Sequence, residues 1–262
     1  MNCNPVNVLF ALITISNCQA WDYRNQDLWP SVYCRKAVAQ SPIDLQNDSA
    51  IQLKMATPLV FINWDQDFNV SMRNTGYTIL VDFLSNDISV SGGKLPGIYK
   101  VVQFHFHWGS EHTINGQRQA LEVHFVGFNN KYYSLEEALE YHNGLAVITV
   151  MYDYSDKDNE MLQPIVQQID KIIKYKQMAD ITINPLTLLP KNVMNFYRYQ
   201  GSLTTPNCND VVVWTIFDEI EKVSEKQIEA FRSILSTTGT PLTENFRNLK
   251  PLNGRSVYKI LA

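Results

Sequence analysis

The feature that most constrains the fold is a pair of strand-forming segments joined by a tight turn. Residues Tyr99–Trp108 and Ala120–Phe128 are rich in β-branched and aromatic side chains, a composition typical of β-strands. Between them stands the dipeptide Asn115-Gly116, which strongly favours a two-residue hairpin turn. The two segments are therefore predicted to pair as antiparallel strands.

Alternation along the first strand sorts its side chains onto two faces. Residues i and i+2 of a strand share a face, so His105 and His107 lie on one side of it. Phe104, Phe106 and Trp108 lie on the other side and are predicted to enter a hydrophobic core.

The turn also predicts how the two strands are aligned. A two-residue turn pairs Ile114 with Gln117, and this register places His107 directly opposite His124. His112 is predicted to lie on the face opposite to these histidines. A bulge in the hairpin would change the register. The other polar residues predicted on the histidine face are Gln103, Glu111 and Glu122.

Three histidines are therefore predicted to face one point. Imidazole suits zinc, and three histidines with one open position are typical of a catalytic zinc site rather than a structural one. The alternative is a set of polar residues on the solvated face of an antiparallel strand. The large apolar residues that flank them favour a Zn²⁺ site with His105, His107 and His124 as its ligands.

The N-terminal segment has the composition of a secretory signal peptide. The first 20 residues contain no Asp, Glu, Lys or Arg, and the apolar run Val6–Ile15 ends at small residues before Trp21. The alternative is a buried N-terminal strand or helix. The run is too short for a standard transmembrane helix. We expect residues 1–20 to be removed, which leaves residues 21–262 as one domain of a secreted, extracellular protein.

Cleavage before Trp21 would leave two cysteines in the chain. Cys34 and Cys208 are then an even number in an oxidising compartment, which predicts one disulfide. Two buried free thiols are the alternative. Asn47 and Asn69 each begin an Asn-x-Ser triplet and are candidate glycosylation sites.

Charge and composition exclude several kinds of partner. The net charge of −4 is modest, and no basic patch with interleaved aromatic residues suggests nucleic acid. The C-terminal residues form no hydrophobic tail, so no membrane anchor is expected. The oligomeric state does not follow from the sequence.

The rest of the chain alternates between strand-like runs and a few helical segments. The predicted strands are Pro58–Trp64, Tyr77–Phe83, Tyr99–Trp108, Ala120–Phe128, Leu145–Tyr152 and Val211–Phe217. The predicted helices are Ala138–Tyr141 after a capping box at Ser134, the amphipathic segment Asp158–Lys176, and Ile228–Leu235 after a capping box at Ser224. These elements predict a mainly β (α+β) single domain, built on a large, twisted, mostly antiparallel central sheet with peripheral helices.

Across residues 21–262 the sequence resembles the α-class carbonic anhydrases. Any one of the matching motifs could arise by chance, but all of them in order are very specific. They are Gln40-Ser-Pro-Ile-Asp44, Gln103-Phe-His-Phe-His-Trp-Gly109, Ser110-Glu-His-Thr113, Glu122-Val-His124, Gly144-Leu-Ala-Val147, Gly201-Ser-Leu-Thr-Thr-Pro206, Asn245-Phe-Arg247 and Leu252-Asn-Gly-Arg-Ser-Val257.

The resemblance implies a role for each matching residue. His105, His107 and His124 would bind zinc, and Gln103, Glu122 and the backbone of Asn245 would hold their second ring nitrogens. Thr204 would orient the attacking oxygen and pass its own hydroxyl proton to Glu111. Thr205 would contact bicarbonate. The apolar wall that holds CO₂ would consist of Val126, Val147, Leu203 and Trp214. The resemblance also supports the Cys34–Cys208 pairing.

One position departs from the family in a way that bears on rate. Fast members carry a histidine proton shuttle where this sequence has Tyr77, and a phenol titrates too high to relay protons well at neutral pH. Leu80 stands where a polar residue that holds water is common. Tyr23 matches the family's early tyrosine that holds the water chain. An active enzyme limited by proton transfer is therefore expected.

The resemblance implies zinc-dependent, reversible hydration of CO₂ to bicarbonate and a proton. Sulfonamides and anions are the expected inhibitors. The main alternative is a catalytically silent relative that acts as a binding or matrix protein, although such relatives typically lose a zinc histidine. A zinc peptidase is a weaker alternative, because the chain contains no His-Glu-x-x-His motif.

Overall fold

The computed structural model describes residues 21–54, 57–83 and 87–262. The predicted signal peptide, residues 1–20, lies outside the described residues. Within the described part of the chain, no helix is both long and apolar enough to cross a membrane.

Short strands make up most of the regular structure. The described residues form sixteen strands: β1 Asp44–Leu45, β2 Ile51–Lys54, β3 Leu59–Ile62, β4 Phe68–Asn74, β5 Ile79–Asp82, β6 Ser89–Gly92, β7 Tyr99–Trp108, β8 Thr113–Ile114, β9 Gln117–Arg118, β10 Leu121–Asn129, β11 Leu145–Ser155, β12 Met178–Ile183, β13 Phe196–Gly201, β14 Val212–Phe217, β15 Glu221–Ser224 and β16 Tyr258–Leu261. The α-helices are α1 Val32–Lys36, α2 Leu135–Ala138, α3 Gln163–Val166 and α4 Glu225–Arg232. The 3-10 helices are Gln26–Leu28, Glu160–Leu162, Ile169–Lys171 and Pro185–Leu188.

Thirteen of the strands form one sheet. Its main path runs β12-β4-β5-β7-β10-β11-β14-β13-β16-β2, with β15 beside β11 and the pair β3 and β6 joined to β7. Neighbouring strands are antiparallel except in the pairs β11–β14, β11–β15 and β16–β2. The predicted fold class, mainly β on a large central sheet with few helices, is confirmed.

Strands β7 and β10 are buried on both faces because a hydrophobic core lies on each side of the sheet. The larger core contains Phe104, Phe106 and Phe125 and is covered in part by Phe231 of α4. A second core on the other face contains Val126, Val147, Tyr199, Leu203 and Trp214. The histidine face is therefore enclosed by protein, which contradicts the alternative of a solvated strand face.

The predicted alignment of the hairpin holds at the turn and is wrong in the strands. Ile114 pairs with Gln117 as predicted. Farther from the turn, however, His105 lies opposite His124, and Glu122 lies opposite His107. Four residues, 109–112, separate β7 from β8, whereas only two, 119–120, separate β9 from β10, so the register shifts by two. A shift of two leaves every side chain of β7 and β10 on its predicted face.

His112 lies on the face opposite to the one predicted. Its Nδ1 atom is 2.8 Å from Oε1 of Glu122, which belongs to the histidine face. Between the two strand segments Gly109 has φ +31, and residues 109–112 follow a bend rather than a strand. Side chains alternate between two faces only in extended chain. Counting alternate residues along β7 therefore does not predict the face of a residue beyond Gly109.

All three predicted helices differ in their bounds from those observed, although two of them begin at the predicted capping serine. Residues 158–176 form short 3-10 and α turns instead of one helix, and Pro164 stands in the first turn of α3. Of the five apolar residues in this spacing, Leu162, Ile165, Ile169 and Ile172 are buried, whereas Met161 is exposed. The Ser134 cap begins α2 at Leu135, earlier than predicted. The capping box of Ser224 and Gln227 begins α4, which ends at Arg232.

The six predicted strands overlap β3, β5, β7, β10, β11 and β14. Strands β4, β12, β13 and β16 were not predicted, and they carry the sheet outward on both sides of the hairpin. The site is thus built on the part of the sheet with the clearest sequence signal.

A disulfide links the N-terminal segment to the loop after β13. Cys34 in α1 is bonded to Cys208, 174 positions later in the sequence. The bond packs beside Trp21 and Trp29 in a small third core. Cys208 follows Thr204 and Thr205 closely, so the bond anchors the segment that carries them.

Removal of this disulfide should destabilise the protein. A cross-link that closes a loop of this length restricts the unfolded chain, and its loss in Cys34→Ser/Cys208→Ser should lower the free energy of unfolding by about 2–5 kcal/mol. Urea titration with and without a reductant measures this. The double variant should not respond to the reductant, and an oxidised wild type no more stable than the variant would contradict the expectation.

Candidate metal centre

Three imidazoles converge on one point above the centre of the sheet. His105 and His107 come from β7 and His124 from β10, and one nitrogen of each ring lies within 4.8 Å of the others. The three ring centroids are 4.6–5.2 Å apart. The residues are close because alternation puts the first two on one face and strand pairing brings the third beside them.

Each imidazole has one nitrogen held by a protein oxygen. The contacts are His105 Nδ1 to Gln103 Oε1 at 2.9 Å, His107 Nδ1 to the carbonyl oxygen of Asn245 at 2.7 Å, and His124 Nε2 to Glu122 Oε1 at 2.5 Å. In each pair the oxygen accepts, so the ring nitrogen donates and carries the hydrogen. The lone pairs left free are those of His105 Nε2, His107 Nε2 and His124 Nδ1.

Burial keeps the rings of His105 and His124 in the neutral form that binds metals. Burial lowers the pKa of His105 well below its usual value, and the neighbouring His107 and His124 lower it further. The pKa of His124 is also lowered by burial, against the opposing charge of Glu122. Burial alone would raise the pKa of Glu122, but His112 and His124 hold it well below its ordinary range. Glu122 is therefore ionised and accepts from both rings.

The donor set fits a metal ion. His107 Nε2 and Glu111 Oε2 are buried and have no hydrogen-bond partner in the described structure, and they lie 3.5 Å apart. Buried polar atoms without partners are costly, and a cation among the three nitrogens would satisfy the first of them. A second possible group, His112, Glu122 and His124, is less suitable because its members already hydrogen-bond to one another.

A small pocket opens onto the three histidines. It encloses about 50 Å³, and its polar wall includes Thr204, Thr205 and Gln103. All four residues predicted for the apolar wall line it: Val126, Val147, Leu203 and Trp214. The pocket therefore joins an apolar surface to a cluster of nitrogen lone pairs.

Glu111 is held at the edge of this pocket by a distant part of the chain. Its Oε1 accepts a hydrogen bond from the backbone N–H of Arg247 at 2.8 Å. Arg247 is itself buried and donates to the carbonyl oxygens of Ser41 and Cys34. Glu111 Oε2 stays without a hydrogen bond, from Thr204 or from any other described residue.

Two tyrosines form the outer wall of the pocket. The ring of Tyr77 is stacked on Trp21, with centroids 4.1 Å apart and an interplanar angle of 5°. Burial raises the pKa of Tyr77, although hydrogen bonds to Thr237 and to the Trp21 backbone oppose the rise. Burial raises the pKa of Tyr23 well above its usual value, and the charge of Glu111 adds to this. Both phenols are therefore neutral near pH 7.

Sequence reasoning missed a buried chain of hydrogen bonds behind Glu122. His112 Nε2 is 2.6 Å from the hydroxyl of Tyr199, and that hydroxyl is 2.8 Å from Ser41 Oγ. The chain supports Glu122 and, through it, His124. Sequence reasoning also missed Thr78, which lines the pocket and donates to the carbonyl oxygen of Phe106 at 2.5 Å. The Gln40-Ser-Pro-Ile-Asp44 motif indicated that Ser41 matters, but the contact of Ser41 with Tyr199 could not be inferred from sequence.

Comparison with known proteins gives one consistent result. The family model for eukaryotic-type carbonic anhydrases matches residues 22–261. Carbonic anhydrase 7 of Mus musculus is 33% identical over 90% of this chain and 96% of its own length. Carbonic anhydrase 3 of Homo sapiens is 32% identical over the same shares. Carbonic anhydrase 4 of Rattus norvegicus is 30% identical over 91% of this chain and 84% of its own length.

Replacement of Glu122 by Gln should weaken metal binding. The amide cannot supply the charge that holds His124 and His112, so zinc affinity should fall by about 10–100-fold. Competition with a chromophoric chelator measures the affinity. Glu140→Gln, at an exposed position, is the matched control and should bind zinc like the wild type. Equal affinity in the two variants would contradict a role for Glu122 behind the ligand.

Proposed function

Because the chain belongs to the eukaryotic-type carbonic anhydrase family, we propose that His105, His107 and His124 hold the zinc ion on which it hydrates CO₂. Members of this family are zinc lyases that interconvert CO₂ and bicarbonate, and this is the activity of the chain. The observation that carries the proposed site is the buried, unpartnered nitrogen of His107 beside two further imidazoles with free lone pairs.

The residues behind the ligands orient them. Gln103, the backbone of Asn245 and Glu122 each accept one ring N–H, which turns the remaining lone pairs toward a common point. Zinc bound there supplies a Lewis acid that makes water nucleophilic at neutral pH, the chemistry for which carbonic anhydrase is the standard example.

Thr204 and Glu111 would set the direction of attack. The free Oε2 of Glu111 can accept a hydrogen bond from the Thr204 hydroxyl, so the Thr204 oxygen is left to act only as an acceptor toward other groups. A bound group whose oxygen carries a hydrogen can then donate a hydrogen bond to the Thr204 oxygen. Binding of an anion that has no such hydrogen is disfavoured. Thr205 would hydrogen-bond bicarbonate before it leaves.

The apolar wall would hold CO₂ beside that oxygen. Val126, Val147, Leu203 and Trp214 are all less than 10% exposed, and they offer CO₂ dispersion contacts without competing hydrogen bonds. The expected inhibitors are sulfonamides and small anions. Both combine a negative atom with a small or apolar body and can bind in the same pocket.

Proton removal would limit the rate. Tyr77 occupies the position of the family's histidine shuttle, its phenol is neutral, and its ring is stacked against Trp21. The pKa of Tyr23 is raised well above its usual value, so this phenol is also neutral. Leu80 adds an apolar surface to the same wall. No side chain on this path therefore accepts a proton readily near pH 7.

We further propose that the protein is secreted after removal of residues 1–20. The Cys34–Cys208 disulfide supports an oxidising compartment. Of the two candidate glycosylation sites, Asn69 is exposed on β4, whereas the side chain of Asn47 contacts Tyr197 and Lys259. The catalytically silent alternative has no support, since every zinc ligand implied by the family is present.

Stopped-flow CO₂ hydration tests the proposed function. The full chain should accelerate hydration, a chelator should abolish the activity, and added zinc should restore it. A sulfonamide should inhibit the zinc-loaded protein. A wild-type protein that binds no zinc and shows no activity would contradict the proposal and favour the silent alternative.

Replacement of Tyr77 by His should raise kcat. An imidazole titrates near neutral pH and can carry the proton outward, so a gain of roughly ten-fold or more is expected. Added imidazole buffer should raise kcat of the wild type more than that of Tyr77→His. Tyr33→His, at a tyrosine that is 58% exposed, is the control and should leave kcat unchanged. A wild-type kcat that does not respond to imidazole would show that proton transfer is not limiting.

A further inference from the structure

Strand β13 carries a buried arginine whose end groups have no partner. Tyr197 and Tyr199 point into the second core, so Arg198 between them points to the opposite face of the sheet, away from the metal centre. Its exposed fraction is 8%. Nε donates to Thr215 Oγ1 at 3.1 Å, but Nη1 and Nη2 are buried without a hydrogen bond in the described structure.

No carboxylate neutralises this guanidinium. Every Asp and Glu of the chain lies within the described residues, and none of them forms an ion pair with Arg198. The ring of Phe196 lies 5.1 Å from Cζ. Burial lowers the pKa of Arg198 to about 10, which still leaves it protonated at neutral pH. Among the described residues, Arg198 therefore has the Phe196 ring beside it but no carboxylate to neutralise its charge.

The other deeply buried arginines of the described chain show how such a charge is normally accommodated. Arg73 is paired with Asp82 at 2.6 Å. Arg247 directs both of its Nη groups at backbone carbonyl oxygens. Arg198 has neither a carboxylate nor carbonyl acceptors for these groups. Its neighbour Thr215 accepts from Nε and so retains its own hydroxyl proton, which donates to no described residue.

We propose that Arg198 and Thr215 bind a small monovalent anion, such as chloride, on the face of the sheet opposite the metal centre. The Nη1 and Nη2 groups of Arg198 and the Thr215 hydroxyl carry hydrogens for which the described residues supply no acceptor. A single negative charge matches the single positive charge, since an unpaired ion in an apolar interior is strongly disfavoured.

Thermal unfolding of the zinc-loaded protein tests this site. At constant ionic strength, replacing gluconate by chloride should raise Tm of the wild type, with saturation. At about ten times the dissociation constant the rise should be about 3–6 °C for a domain of this size. Arg198→Met has a similar length and no charge, and it should lose this part of the response. In gluconate it should unfold no lower than the wild type.

Two controls separate the site from other effects of chloride. Arg232→Met removes the same charge from a surface ion-pair cluster and should keep the wild-type response. Any chloride bound at the metal centre affects all variants alike. Binding beside Arg198 is therefore measured by the difference in the chloride-dependent rise in Tm between the wild type and Arg198→Met. Equal responses in these two proteins would overturn it.

Crystals of the wild type grown in bromide give an answer that does not depend on whether the variant folds. An anomalous peak within hydrogen-bond distance of Arg198 Nη1 or Nη2 is expected, apart from any peak at the metal centre. A bromide peak at the metal centre alone, with none beside Arg198, would overturn the proposal.

Discussion

The structure depends on the pairing of β7 with β10 between two hydrophobic cores. This pairing brings His124 beside His105 and His107, and the second core removes their rings from water. Desolvation disfavours the charged imidazolium, so the rings of His105 and His124 stay neutral and keep lone pairs for a metal. On a solvated strand face these two side chains would lack that desolvation. Burial on both faces of one strand pair therefore creates a candidate metal centre, in which three histidines could hold a metal ion.

The remaining parts of the site come from segments far away in the sequence. Asn245 holds His107 through its backbone, and the N–H of Arg247 holds Glu111. The Cys34–Cys208 bond and the carbonyl contacts of Arg247 join the N-terminal segment to the loop that carries Thr204. A change in any of these would alter the site without touching a zinc ligand. The central sheet thus serves two purposes, since it presents the pocket on one face and the solitary Arg198 on the other.

Much of the fold and the site could be predicted from the sequence, and the errors have identifiable physical causes. Alternation placed His105, His107 and His124 on one face, and the family motifs named the pocket wall. The register of the hairpin was wrong by two because a turn signal says nothing about extra residues between the turn and the strand. The amphipathic segment 158–176 had the spacing of a helix, but Pro164 and tertiary packing divide it into short turns.

The sequence by itself determined which side of each strand a residue occupies, because alternation in extended chain is local and depends only on covalent geometry. It also shows a tyrosine, Tyr77, where the resemblance to the family predicts a histidine proton shuttle. Only the tertiary structure decided which histidine opposes which, that His112 turns back toward Glu122, and that Tyr77 is stacked on Trp21. These depend on a bend at Gly109 and on contacts between residues many positions apart. Such contacts are set by packing of the whole chain, and no local rule of propensity or spacing contains them.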